Sequence, residues 1–171
     1  MLTLGKIYGQ KNVKVMEQEI QLNEHNKQEY PPMHTAEHIL NGTMVKMFGC
    51  ERSRRAHIER KKSKCDYQLS EPLSTEQLQA IEDRVNEVIS RDLPVTAEMA
   101  RKADVVGRFD LSRLPEDASE WVRIVKVGDY DECLCVGAHV NRTSEIGHFR
   151  ISSARYADGV QRIVFRLDKE K

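Results

Sequence analysis

Aromatic side chains are scarce in this chain of 171 residues, which holds one Trp, five Tyr and four Phe. A surface of stacking rings is therefore not expected, and Tyr30, Tyr67, Tyr130 and Tyr156 suit packing as well as contact with a flat ligand. Cysteine is also sparse: four residues are too few for a disulfide scaffold and read better as free thiols or metal ligands. Net charge is absent, with 27 Lys+Arg against 27 Asp+Glu, which excludes a uniformly basic coat while leaving room for a local patch. No apolar run approaches the roughly 20 residues needed to span a bilayer. Met1 to Val15 lacks the apolar stretch and cleavage site of a signal peptide, so the expected compartment is the cytoplasm. Repeats, low-complexity tracts and Gly/Ser linkers are missing as well, and nothing forces a division into two domains.

What is present suits a packed core: 39% of the residues are hydrophobic and 32% charged. Residues 1–30 are the least readable part and are taken as an N-terminal extension, with Asn12 to Leu22 as strand and Asn23 to Tyr30 as polar connection; residues 31–171 form the domain. Pro31-Pro32 suits a helix start, and Met33, Ala36, Leu40, Thr43, Met44 and Met47 recur at helical spacing until Gly49. Cys65 to Leu69 reads as strand. Ser74 and Gln77 have capping-box spacing ahead of the apolar stripe Leu78, Ile81, Val85, Val88 and Ile89, and Pro94 sets the end. Strands are expected at Val122 to Val127, Cys133 to Val140, His148 to Ala154 and Val160 to Leu167. Helices and strands do not alternate regularly, so the predicted fold is α+β, with helices packed on a mostly antiparallel sheet.

His34 and His38 lie four residues apart on the first helix and share a face. Far downstream, Cys135-Val-Gly-Ala-His139 offers a thiolate and an imidazole around Gly137, whose freedom lets the backbone turn closely. Together they make a His₃Cys set, in which sulfur and imidazole favour zinc over magnesium or calcium. Cys133, two residues before Cys135, competes for the same role, because strand alternation sends both to one side.

At this point the chain resembles a family. His34-Thr-Ala-Glu-His38-Ile-Leu is similar to the helical HxxxH of the editing domain shared by alanyl-tRNA synthetases and the AlaX-type freestanding alanyl-tRNA editing proteins. Cys135-Val-Gly-Ala-His139, followed by Thr143-Ser-Glu145-Ile146-Gly147, resembles that family's second half-site. The resemblance covers roughly residues 33–167. A related domain occurs in threonyl-tRNA synthetases, but the Thr143 to Gly147 ending is more similar to the alanyl type. The resemblance implies an α+β editing domain that holds zinc through His34, His38, Cys135 and His139. It also implies a hydrolase acting in trans that removes a wrong amino acid, chiefly serine with glycine as a second candidate, from mischarged alanine tRNA. Two departures stand out. Many relatives carry Cys-Gly-Gly-Thr-His where this chain has Val136 and Ala138. Near Arg55 to Glu59, where freestanding relatives present a small hydroxyl residue, it has Arg55, Ala56, His57 and Glu59.

Around the expected zinc, Thr35 and Glu37, Asp129 and Asp131, and Thr143 are candidates to orient ligands, while His57 or Glu59 would line the pocket or orient water. Ser63 and Ser144 have no recognisable Ser-His-Asp context. Arg52, Arg54, Arg55, Arg60, Lys61, Lys62 and Lys64 crowd into thirteen residues with only Glu59 opposing, while the rest of the chain holds 20 basic against 26 acidic residues. Such a run can neutralise several phosphates, and beside an aminoacyl-tRNA site it is read as the contact for the acceptor end. The readings left open are a zinc-containing module that binds tRNA or a synthetase without chemistry, a threonyl-type editing domain, and another metallohydrolase. The lack of HExxH disfavours a zinc protease.

Overall fold

The structure, a computed structural model, describes residues 30–112, 114 and 119–169. The expected strand at Asn12 to Leu22 and the boundary at residue 30 lie outside or at the edge of these. Helix α1 (Pro31–Phe48) begins with proline in its first turn, where a missing N–H costs nothing, and ends at Gly49, whose N–H bonds Val45 O at 2.9 Å. It is buried almost all round between Met33 and Met44. Its polar residues Thr35, Glu37, His38, Asn41 and Thr43 therefore sit in the interior, where each needs a partner.

Helix α2 (Thr75–Ser90) starts with the complete Ser74/Gln77 capping box and buries one stripe, Ile81, Val85, Val88 and Ile89. It stops earlier than Pro94 requires. The reason is tertiary: Thr143 Oγ1 accepts the Leu93 N–H at 2.8 Å and donates toward the Ile89 and Val88 carbonyls at 3.0 and 3.3 Å, while Asp92 turns to φ 52°.

The strands form two antiparallel sheets. One has the order β1 (Arg55–His57), β2 (Ser63–Gln68), β7 (Val160–Asp168), β6 (His148–Ala157); the other has β3 (Val95–Arg101), β4 (Trp121–Val127), β5 (Asp131–Leu134). Helix α3 (Lys102–Val105) is a single turn after β3. The main core joins α1, α2 and the four-stranded sheet through Met33, Ile39, Leu40, Met44, Tyr67, Ile81, Phe149, Ile163 and Phe165. A smaller cluster around Val105, Val122 and Ile124 lies on the three-stranded sheet. The fold is α+β.

The expected strand from Cys133 to Val140 is cut short at Leu134. After the Cys135 N–H bonds Arg123 O at 3.1 Å, the Arg123 guanidinium takes the Cys135 and Gly137 carbonyls at 3.0 and 2.8 Å in place of a neighbouring strand. The chain then turns toward α1. Strand β3 falls in a stretch for which the apolar pattern gives no signal, because it is an edge strand exposed at most positions. Among the described residues no helix is long and apolar enough to cross a membrane.

Candidate metal centre

One face of α1 carries His34, Glu37 and His38, and the turn after β5 brings Cys135 and His139 against it. One donor atom from each of His34, His38, Cys135 and His139 lies within 4.8 Å of the others. The three imidazoles are in mutual contact, with centroids 4.1 to 5.0 Å apart, and Cys135 Sγ stands 3.4 Å from His34 Nε2. Cys133 is not in the group; it faces a cavity of about 440 Å³ with Cys50 and Phe109, and burial pushes its thiol up to about 11.

The rings are held from behind. His34 Nδ1 stands 3.2 Å from the Ala138 carbonyl, which can only accept, so this nitrogen carries the proton and Nε2 turns its lone pair to the thiol. Thr35 Oγ1 accepts the Val140 N–H at 3.2 Å and pairs with His139 Nδ1 at 2.9 Å, leaving His139 Nε2 for the cluster. Gly137 N–H points to Cys135 Sγ at 3.4 Å. Val136, the first departure from the family motif, is 81% exposed, and Ala138 contributes its carbonyl, so neither replacement removes a donor.

Two buried nitrogens, His38 Nδ1 and His139 Nε2, have no hydrogen-bond partner among the described residues. Such orphans are costly, and a cation accepting their lone pairs is one resolution. Burial first, then the neighbouring histidines and the Arg123 charge, push His38 down to about 2 and His139 down to about 3, so both are neutral donors at ordinary pH. The cluster can hold a metal ion.

Beside it lies a network of buried carboxylates. Asp131 sits with Oδ2 3.9 Å from His38 Nδ1 and is gripped by Arg52 through two bonds of 2.6 and 3.2 Å. Gly42 makes room for it: a Cβ there would stand 2.8 Å from Asp131 Oδ1. Burial works against the Arg52 charge, but Asp131 outweighs it and holds the guanidinium above its ordinary pKa. Glu37 Oε1 accepts the Asn41 amide at 2.6 Å, and Asn41 Oδ1 in turn accepts the Tyr67 hydroxyl and the Ser53 N–H. Burial pushes the Glu37 carboxyl up to about 7 against the opposing charge of Arg52.

The other residues singled out in the sequence fall elsewhere. Thr143 is fully buried at the end of α2. Glu145 folds its own turn, accepting the Asn141 and Arg142 N–H groups at 2.7 and 2.8 Å. Asp129 is exposed on a cavity of about 510 Å³ that Lys46, Arg108 and Lys126 also line. His57 and Glu59 pair with each other at 3.2 Å, half exposed. In the basic run, Arg52 turns inward, Arg54 pairs with Glu51 at 2.8 Å and Arg60 lies over the Tyr30 ring. Arg55, Lys61 and Lys62 are exposed around the β1–β2 hairpin, and Lys64 is half-buried on β2. Sequence reasoning passed over Arg123 and Asn41, whose partners are backbone groups and distant side chains.

Residues 122–164 match the model of the threonyl and alanyl tRNA synthetase second additional domain. An alanine–tRNA ligase of Fervidobacterium nodosum is 34% identical over 161 residues, covering 93% of this chain and 18% of that protein. One from Methylacidiphilum infernorum is 37% identical over 134 residues, 77% of this chain and 14% of its own length. One from Bdellovibrio bacteriovorus is 34% identical over 132 residues, with 76% and 15% covered. The chain thus spans less than a fifth of the length of these relatives.

Proposed function

We propose that this chain, which belongs to the AlaX-like members of the threonyl and alanyl tRNA synthetase second additional domain family, deacylates mischarged alanine tRNA. The reaction is hydrolysis of the ester between a wrong amino acid, serine or glycine, and the terminal ribose; it consumes water and returns free amino acid and free tRNA. In this reading the domain acts in trans on tRNA charged elsewhere, in the cytoplasm. The need is physical: a pocket built for alanine cannot strongly reject glycine, which is smaller, or serine, whose added hydroxyl costs too little, so a second pocket must remove the errors.

The observation that carries the proposal is the convergence of His34, His38, Cys135 and His139 from two distant segments, with two of their nitrogens buried and without a hydrogen-bond partner among the described residues. Three imidazoles and a thiolate suit zinc, and His34, His38, Cys135 and His139 would be its ligands. When bound by all four, zinc would help to position the ester group beside it. The chain's own residues do the rest. Thr35 and the Ala138 carbonyl fix ring orientation, and Arg123 holds the turn that carries the thiolate. Arg54, Arg55, Arg60, Lys61, Lys62 and Lys64 would meet the acceptor-end phosphates, with Arg52 committed to Asp131.

Incubation of zinc-loaded protein with Ser-tRNA(Ala), Ala-tRNA(Ala) and Ser-tRNA(Ser) tests the reading. Rapid loss of serine from the first alone is expected. Hydrolysis of none, with salt-sensitive binding retained, would leave a binding module, and hydrolysis of another aminoacyl-tRNA instead would move the domain to a different editing class.

A further inference from the structure

Glu37 lies between the two helical histidines, and the main part of its side chain is locked. Its Oε1 accepts the Asn41 amide at 2.6 Å, and Asn41 is itself fixed by Tyr67 and Ser53. The other oxygen differs. Oε2 accepts no hydrogen bond from any described residue, although Glu37 is only 8% exposed. It stands 4.0 Å from His34 Nε2 and 3.8 Å from His38 Nε2, too far to bond either ring and facing both. An acceptor with unused capacity, on a side chain 11% exposed, braced from behind and turned toward a reaction centre, is placed to hold a small donor such as water.

The proposed chemistry lacks such a holder. Held by all four protein donors, a zinc ion would have no open position for an attacking water. Histidines and a cysteine committed to the metal cannot also orient it. We propose that Glu37 is the water-positioning residue of this centre: its Oε2 accepts a hydrogen bond from the water that attacks the ester carbonyl. The inference rests on the hydrolase reading above.

Glu37→Gln tests it with little disturbance of shape. Because Asn41 donates toward Oε1, the glutamine must place its oxygen there and its NH₂ where Oε2 was, turning an acceptor into a donor. Glu37→Asp keeps the charge and withdraws it by one methylene. Zinc affinity by chelator competition, kcat and KM for Ser-tRNA(Ala), and a crystal structure of the zinc-loaded wild type are the readouts. Both variants are expected to keep zinc and KM within about twofold, while kcat falls by about 100-fold in Glu37→Gln, and the crystal structure shows a water within hydrogen-bond distance of Oε2. Wild-type kcat in Glu37→Gln overturns the inference. So does a tenfold or greater loss of zinc affinity in Glu37→Gln, which would make the carboxylate a ligand, or the lack of that water. A wild type that deacylates none of the three tRNAs overturns the hydrolase reading and this inference together; an active wild type with an equally active Glu37→Gln overturns this one alone.

Discussion

Gly137 lies so close to the imidazole of His34 that a Cβ on it would stand 2.3 Å from Cε1 and 2.7 Å from Nδ1. The ring is held between the helix that carries it and the backbone of the turn. Gly137→Ala is therefore expected to displace His34 or the turn and to weaken metal binding about 10–100-fold, as loss of a ligand-orienting contact does. Secondary structure should be unchanged. Chelator competition on the purified variant checks this, and wild-type metal affinity would show that the turn yields without cost.

In the proposed reading, Arg52 and its neighbours in the basic run separate into two roles. Arg52→Gln would leave Asp131, whose side chain is 5% exposed, without its counter-ion. Removing one partner of a buried pair costs about 3–5 kcal/mol, and the lower end is expected here because Arg52 keeps some contact with solvent. Denaturant unfolding reads the loss.

Charge reversal at Lys61 and Lys62 acts on the other role. Both are exposed in the hairpin turn, so stability should stay within about 0.5 kcal/mol of the wild type. Affinity for tRNA should fall, and the slope of log affinity against log salt should flatten by about 2. Unchanged affinity would move the RNA surface elsewhere.

How far the sequence reaches is visible in these residues. Helices α1 and α2 were legible because Pro31, the Ser74/Gln77 box and their apolar spacings are local signals. The types and spacing of the four donors were legible for the same reason, two on one helix face and two around a glycine. Local pattern carries no trace of Arg123, whose partners are the Cys135 and Gly137 carbonyls, since any sequence supplies carbonyls. Nor does it separate Arg52 from Arg54 in a basic run; only the approach of β5 to α1 at Gly42 does that. Strand β3 was missed because an exposed edge needs no alternation, and α2 ends early because Thr143, 50 residues after Leu93, stops it.

Thr143 supplies a further test. Thr143→Val keeps the shape but leaves the Leu93 N–H and the Ile89 carbonyl without their hydroxyl partner, at a cost of about 1–3 kcal/mol. Metal affinity should be unchanged, since Thr143 touches the end of α2 rather than the cluster. A variant of normal stability with impaired metal binding would reverse that assignment.

The metal-free protein should be sensitive to acid. His38 and His139 have folded values of about 2 and 3, below the 6.5 of the unfolded chain. As pH falls below about 6.5 the unfolded state takes up protons at these histidines that the folded state refuses. Glu37, held up at about 7, opposes this between pH 7 and 4.5, but two histidines outweigh one carboxyl, so net stability is lost on the way down toward 3. Unfolding midpoints between pH 7.5 and 4.5 check the sign; a midpoint that rises on acidification would contradict it.

The Cys135–His34 contact joins residues 101 positions apart. During synthesis at roughly 5–20 residues per second, α1 emerges some 5–20 s before its thiol partner exists. Until Cys135 has left the ribosome, an ion arriving at the helix meets only two imidazoles of the four donors. In the proposed reading, capture of a metal by all four donors would report that β5 and the turn after it have docked on α1; it carries no report on β6 and β7, which follow residue 139.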